Sequence, residues 1–340
     1  MTDYTLNSPS LSVKIASRGA ELQSLKMAAG PELLWQADPA VWGRHAPQLF
    51  PTVGRLKNDT YRHEGTDYPL PNHGFAREME FTCVDQSATH CTLSLKDNET
   101  TRLCYPFTFE LLITHTLQDQ TLVITYTLRN PDKDKDLLAS LGAHPGFKWP
   151  LIEGADRNAH TITFEQDESA PIRRLESGLL QSQTFPTPVH NRVLALRNAL
   201  FVADVVMFDA LKSRSLTYTA PGAPKIHINF PGFPHLGIWT KPGAGFVCIE
   251  PWQGHAARKH SRANCATSRA WSPLRPGRNA PGSTVSRLRL KHSSADCMFG
   301  MSLAISGTAP SLNFSRPVLS QPVAQAGLRA VPGGCHASAT

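Results

Sequence analysis

Four separated segments of this 340-residue chain set charged or proton-handling side chains beside Gly or Pro. They are Gly54-Arg55, Asn72-His73-Gly74-Phe75-Ala76-Arg77, Gly142-Ala143-His144-Pro145-Gly146-Phe147 and Cys248-Ile249-Glu250-Pro251-Trp252. Gly and Pro end strands and open loops, and a side chain at such a junction can be presented at a cavity mouth. An arginine, two histidines and a glutamate in that setting are the material of general acid and base chemistry. Glu250 is the sharpest signal. It follows Phe246-Val247-Cys248-Ile249, which reads as a buried strand, and a carboxylate next to such a strand has a partner or a task. Taken alone, His73 and His144 read equally well as turn residues that cap loops. Arg77 and Glu78 read as a surface pair, and His45, His115, His227 and His235 as structural or surface residues.

The elements that must position these groups are strands. Ser12–Ile15, Thr92–Leu95, Phe107–Thr116, Thr121–Leu128, His160–Phe164, Ser215–Tyr218 and Lys225–Phe230 are short and rich in β-branched or aromatic residues, and several alternate with period 2. The polar connection Leu117-Gln118-Asp119-Gln120 predicts a hairpin into Leu122-Val123-Ile124-Thr125-Tyr126. No long segment has helical periodicity. Many short strands separated by turns predict an all-β sandwich or barrel.

Composition removes several function classes. No run approaches the roughly 20 apolar residues that cross a bilayer, and Met1-Thr2-Asp3-Tyr4 begins neither a basic nor an apolar leader. No membrane association is therefore expected, and the expected location is cytoplasmic. The seven cysteines are irregularly spaced with no CxxC pair, so free thiols are expected. Despite fourteen histidines there is no HExxH and no Cys/His cluster, so neither metal nor cofactor is expected. The net charge of +7 would suggest nucleic acid, but residues 256–340 alone carry +10 and residues 1–255 carry −3. A nucleic-acid binder would rest on the tail alone, which has no stacking or phosphate motif.

That tail changes character at Ala256, where strands fade and acids nearly vanish. It reads as a basic segment of low order or poor packing over 256–340, following a β domain over 1–255. A shifted reading frame explains it as well. With GC-rich codons, the stretch His260–Ser272 read two nucleotides on gives Phe-Ala-Gly-Glu-Leu-Arg-Asp-Lys-Pro-Gly-Met-Val, an acid-containing turn leading into a strand. Loss of a closing strand would leave an unpaired sheet edge at Lys225–Phe230 or at the strand ending in Glu250.

Taken in order, Trp42-Gly43-Arg44-His45-Ala46-Pro47, Leu49-Phe50-Pro51-Thr52-Val53-Gly54-Arg55-Leu56, Asn72 to Arg77, Gly142 to Phe147, Leu200 to Asp204, Leu211 to Ser215 and Cys248 to Trp252 resemble the aldose 1-epimerase family, which includes the galactose mutarotases. The resemblance covers roughly residues 5–255. It implies a large antiparallel β-supersandwich of the galactose mutarotase type with an open sugar cleft, and interconversion of the α and β anomers of a free aldose. Carried onto this chain it implies Glu250 as general base and His144 as general acid, with Arg55 and His73 bonding the sugar near its reacting end and Asp204 binding a hydroxyl. Asp209 lies five residues from Asp204 in a similar context. Trp252 shares strand parity with Glu250 and is expected to line the cleft as an apolar platform for a sugar face. The expected partner is a small-molecule sugar, with the chain a monomer or homodimer. A carbohydrate-binding or regulatory protein with the same cleft and little turnover is the alternative.

Overall fold

Alternation along the chain becomes strand. In Glu110–Gln118 and Thr121–Arg129 every second side chain from Leu111 to Leu117 and from Leu122 to Leu128 is buried. The two pair antiparallel with Thr121 opposite Gln118, so Asp119 and Gln120 form the hairpin turn expected from the sequence. A computed structural model describes residues 2–259, 288–290 and 297–307 of the chain. All seven segments expected to be strands lie in or overlap strands. The α-helix among the described residues is the six-residue Glu99–Cys104, whose Asn98 cap accepts from Thr101 N at 2.9 Å. No helix among them is long and apolar enough to cross a membrane.

A nine-stranded sheet runs in the order Val193–Ala195, Thr161–Phe164, Ser215–Thr219, Lys225–Asn229, Cys297–Ser306, Thr121–Arg129, Glu110–Gln118, His90–Lys96, Thr82–Gln86. A second sheet runs Val206–Phe208, His235–Trp239, Phe246–Gln253, Leu141–Ala143, Gln48–Leu49, with Gly146–Lys148 also paired to Phe246–Gln253. One core joins them: Ile113, Ile124 and Tyr126 of the first sheet belong to the same buried cluster as Phe147, Ile238, Val247 and Ile249 of the second. This is the antiparallel supersandwich of the galactose mutarotase type.

Two described segments beyond 256 depart from expectation. Cys297–Ser306 pairs with Thr121–Arg129 on one side and Lys225–Asn229 on the other. It alternates as a sheet strand must: Phe299, Met301, Leu303 and Ile305 are buried and the residues between them are not. The boundary drawn at 255 therefore does not end the fold, and Lys225–Asn229 is not an edge. Nor is the strand carrying Glu250, which has partners on both sides. For Cys297–Ser306 the expectation failed because it weighed average composition over 256–340, and ten apolar-alternating residues disappear in that average. Leu288–Leu290 also pairs, with Leu137–Ala139. The stretch His260–Ser272 read for a frame shift lies outside the described residues.

Candidate active site

Phe246–Gln253 is buried at all eight positions and divides its side chains by parity. Val247 and Ile249 enter the main core, while Phe246, Cys248, Glu250 and Trp252 point to the opposite face. Gly142 pairs with Trp252 and Gly146 with Cys248, a register that sets His144 opposite Glu250. His144 thus occupies the break between two short strands that pair with the same neighbour. Glycine at 237 makes room for Trp252, since a Cβ there would come within 2.5 Å of the indole.

His73 is placed by an unusual backbone. It has φ +65°, and the following Gly74 has φ +71° with its would-be Cβ only 2.2 Å from Phe50 O, a position that only glycine can hold. The ring is then fixed by Gly54 N, which donates to Nδ1 at 3.1 Å. With Nδ1 accepting, the neutral ring carries its proton on Nε2 and is a donor there. Burial is the main cause that holds this imidazole well below its ordinary 6.5, with His144, Arg77 and Arg44 adding to it.

These groups surround a cavity of ≈ 260 Å³. His73, His144, Asp204 and Glu250 line it, together with Trp42, Asn72, Arg77, Met207, Trp239 and Trp252. Arg55 does not. Its guanidinium is held by Asp59, four residues on, with Nε and Nη2 each 2.8 Å from a carboxylate oxygen, and the pair is exposed. Asn58 and Asp59 both have positive φ, which turns the carboxylate back onto Arg55. Only the stem of Arg55 approaches the cavity, lying behind lining residue Gly178. Arg77, read as a surface residue, supplies the guanidinium in the lining, anchored by donating to Asn72 O at 2.8 Å. Asp204 stands at the exposed rim with φ +64°. Asp209 is instead engaged by Arg173 at 2.9 Å.

Glu250 is 1% exposed and His144 8% exposed. Nε2 of His144 lies 3.1 Å from Oε2 of Glu250, a contact and not the two sides of an open cleft. The approach lacks the angles of a hydrogen bond. Oε2, with His144 Nδ1 and Trp252 Nε1, is a buried polar atom without a hydrogen-bond partner among the described residues. Burial pushes the Glu250 carboxyl well up and the His144 imidazole down to about 3. Both shifts favour the neutral forms. The His144 ring is boxed by Trp42, Trp239 and His73 at centroid distances of 5.2, 5.9 and 5.6 Å. Trp252 is 5% exposed and lines the cavity beside Glu250, as their shared parity required.

Of the residues that sequence reasoning passed over, Trp42 and Arg77 stood inside quoted motifs. Met207 and Trp239 carried no signal beyond lying near strand ends.

Residues 2–264 match the family model described as Aldose 1-epimerase. Protein LacX (chromosomal) of Lactococcus lactis subsp. lactis is 35% identical over 254 residues, 72% of this chain and 85% of that protein. A galactose mutarotase related enzyme from Lactobacillus acidophilus superposes with TM-score 0.77 at 30% identity, covering 91% of this chain and 99% of that one. A galactose mutarotase-like protein from Lactobacillus casei gives TM-score 0.78 at 27% identity, with 90% and 100% covered.

Proposed function

The chain belongs to the aldose 1-epimerase family, and from that premise we propose that it interconverts the α and β anomers of a free aldose, with Glu250 and His144 as the proton-transfer pair. The observation that carries this reading is the pair itself. Two dry titratable groups lie 3.1 Å apart, yet a Glu250 oxygen and a His144 nitrogen remain without hydrogen-bond partners among the described residues. A purely structural ion pair would satisfy both groups with each other.

Anomer interconversion removes the proton from the C1 hydroxyl and delivers one to the ring oxygen; the ring opens, C1 rotates, and the same transfers run backwards on the other face. It needs one acceptor and one donor, and a pair holding a single proton supplies both. Glu250 as carboxylate takes the hydroxyl proton, and His144 as imidazolium gives its own to the ring oxygen. This arrangement carries the same proton count as the neutral pair. The C1 hydroxyl favours it by donating to Glu250, which offsets the burial that otherwise raises that carboxyl. Ring closure returns each proton to its source, so the site is reset after every turnover. No cofactor enters the steps.

The remaining lining residues hold the ring. His73 Nε2–H and the Arg77 guanidinium donate to sugar oxygens, Asp204 accepts from a hydroxyl at the rim, and Trp252 offers an apolar face. A cavity of ≈ 260 Å³ lies just under the roughly 300–1,000 Å³ of ligand pockets in general and suits one monosaccharide.

Polarimetry of freshly dissolved α-glucose and α-galactose tests the proposal. Glu250→Gln and His144→Asn should each slow catalysed mutarotation by about 10²- to 10⁴-fold with the fold retained. A near-parental rate in either variant would remove that residue from the mechanism. Sugar binding by the unmutated chain with no rate above buffer would favour a binding protein.

A further inference from the structure

The face of Phe246–Gln253 that carries Glu250 and Trp252 also carries a thiol that anomer interconversion does not use. Cys248 precedes Glu250 by two residues, is fully buried, and clusters with Ala244 and Phe246, against which Trp35, Trp42 and Trp239 pack. A ring nitrogen of His144, Cys248 Sγ and a Glu250 carboxylate oxygen all lie within 4.8 Å of one another. Among the described residues no other trio of His, Cys, Asp or Glu side chains converges in this way. The spacing hides it in sequence, where the two ligands at 248 and 250 are more than a hundred residues from the third. Register alone brings His144 opposite Glu250 and Gly146 opposite Cys248.

We propose that His144, Cys248 and Glu250 form a three-ligand site for a thiophilic divalent transition ion of the Zn²⁺ class, which blocks the proton-transfer pair when occupied. A tetrahedral zinc site with these donors sets neighbouring ligand atoms about 3.3–3.6 Å apart. The 3.1 Å between His144 and Glu250 already meets that within a few tenths, and the 4.8 Å limit leaves about an ångström of contraction for the thiol. Cys248 and Glu250 share one face of a strand and His144 stands in the break of the strand pair beside it, so the approach asked of the three side chains is short.

Charge favours occupation. Thiolate and carboxylate together carry two negative charges, which one dication neutralises, and a neutral cluster is the form that a dry site accepts. One imidazole, one thiolate and one carboxylate suit Zn²⁺, whereas Mg²⁺ and Ca²⁺ take oxygen ligands. His144 and Glu250 line the cavity, so the fourth coordination position opens into it, where water or a sugar hydroxyl can reach the ion. Binding releases the Cys248 thiol proton and the Glu250 carboxyl proton to solvent and takes both proton-handling groups out of use.

Co²⁺ serves as the spectroscopic probe for this class of ion. CoCl₂ added to the full chain should produce a thiolate-to-cobalt absorption band that ZnCl₂ abolishes and MgCl₂ leaves unchanged. Cys248→Ala should lose the band. Inhibition rests on the mutarotase reading: ZnCl₂ should suppress the catalysed rate, and Cys248→Ala should keep the basal rate while raising the half-inhibiting zinc concentration at least about tenfold. The cobalt spectrum reads binding without turnover, so a chain that proved inactive would still test the site. Absence of the band in the unmutated chain overturns the proposal, as does a band or a zinc sensitivity that survives unchanged in a folded Cys248→Ala variant.

Discussion

His115 should make the protein acid-labile by an amount that one substitution can isolate. It lies on Glu110–Gln118, opposite Cys91 on one neighbouring strand and Ile124 on the other, and is 0% exposed. Neither ring nitrogen has a hydrogen-bond partner among the described residues. Burial, with a smaller contribution from His90, pushes its pKa down from 6.5 to about 3. A base whose folded pKa lies below its unfolded value is neutral when folded and charged when unfolded between the two, so its contribution to stability is intact above pH 6.5 and shrinks as the pH falls toward 3. Each pH unit in that window costs about 1.4 kcal/mol, so lowering the pH from 7.5 to 5.0 should cost about 2 kcal/mol through this residue alone. His115→Leu removes the titration and replaces two unsatisfied nitrogens with apolar surface. Urea unfolding at both pH values should find the variant's advantage about 2 kcal/mol larger at pH 5.0. His144 and His235, also pushed down to about 3, are present in both proteins and cancel in the difference. An advantage equal at the two pH values would refute the reasoning, because His115 would then not change its protonation on unfolding in that range.

Two further expectations separate this structure from the one anticipated in the sequence. Arg77→Met should raise KM for the aldose by about 10- to 100-fold, the loss of one or two hydrogen bonds from a charged donor, while Arg55→Met should change it less than about threefold because only an exposed pair is lost; the reverse order in steady-state kinetics would restore Arg55 to the site. A chain ending at 259 should be recovered as aggregate, since Phe299, Met301, Leu303 and Ile305 each contribute about 1.5–3 kcal/mol of burial, together comparable to the roughly 5–15 kcal/mol that holds a whole domain folded. A soluble truncated chain with an unchanged Tm would show that the sheet is complete without them.

The legible parts of this protein were those that local pattern determines. Thr121–Arg129 alternates so plainly that its strand and its hairpin could be read directly, and the parity of Glu250 and Trp252 fixed the face on which both lie. His73 and His144 were visible because glycine and proline beside them mark backbone that no ordinary strand adopts. Arg55 was misplaced because its fate depends on Asn58 and Asp59 adopting positive φ, a choice made by the turn and not marked by Gly. Cys248 stood in the sequence as one of several free thiols because ligand spacing was sought along the chain, whereas His144 lies more than a hundred residues before it. The strand Cys297–Ser306 was lost in the composition of the segment around it.

The position of that strand has a consequence for how the molecule is made. Four strands of the large sheet come from residues 82–129 and four from residues 161–229. Each set is nearly contiguous in the chain and can assemble as its sequence emerges from the ribosome. Among the described residues the two halves are hydrogen-bonded within the sheet only through Cys297–Ser306, which is synthesised after both. Until then Thr121–Arg129 and Lys225–Asn229 each face outward with a row of open hydrogen-bonding groups, which another nascent copy could take up as readily as the chain's own later strand. This strand therefore acts as the closing stitch of the sheet, and the interval before it arrives is when a chaperone, or a separately supplied peptide of the same ten residues, would have its greatest effect on yield.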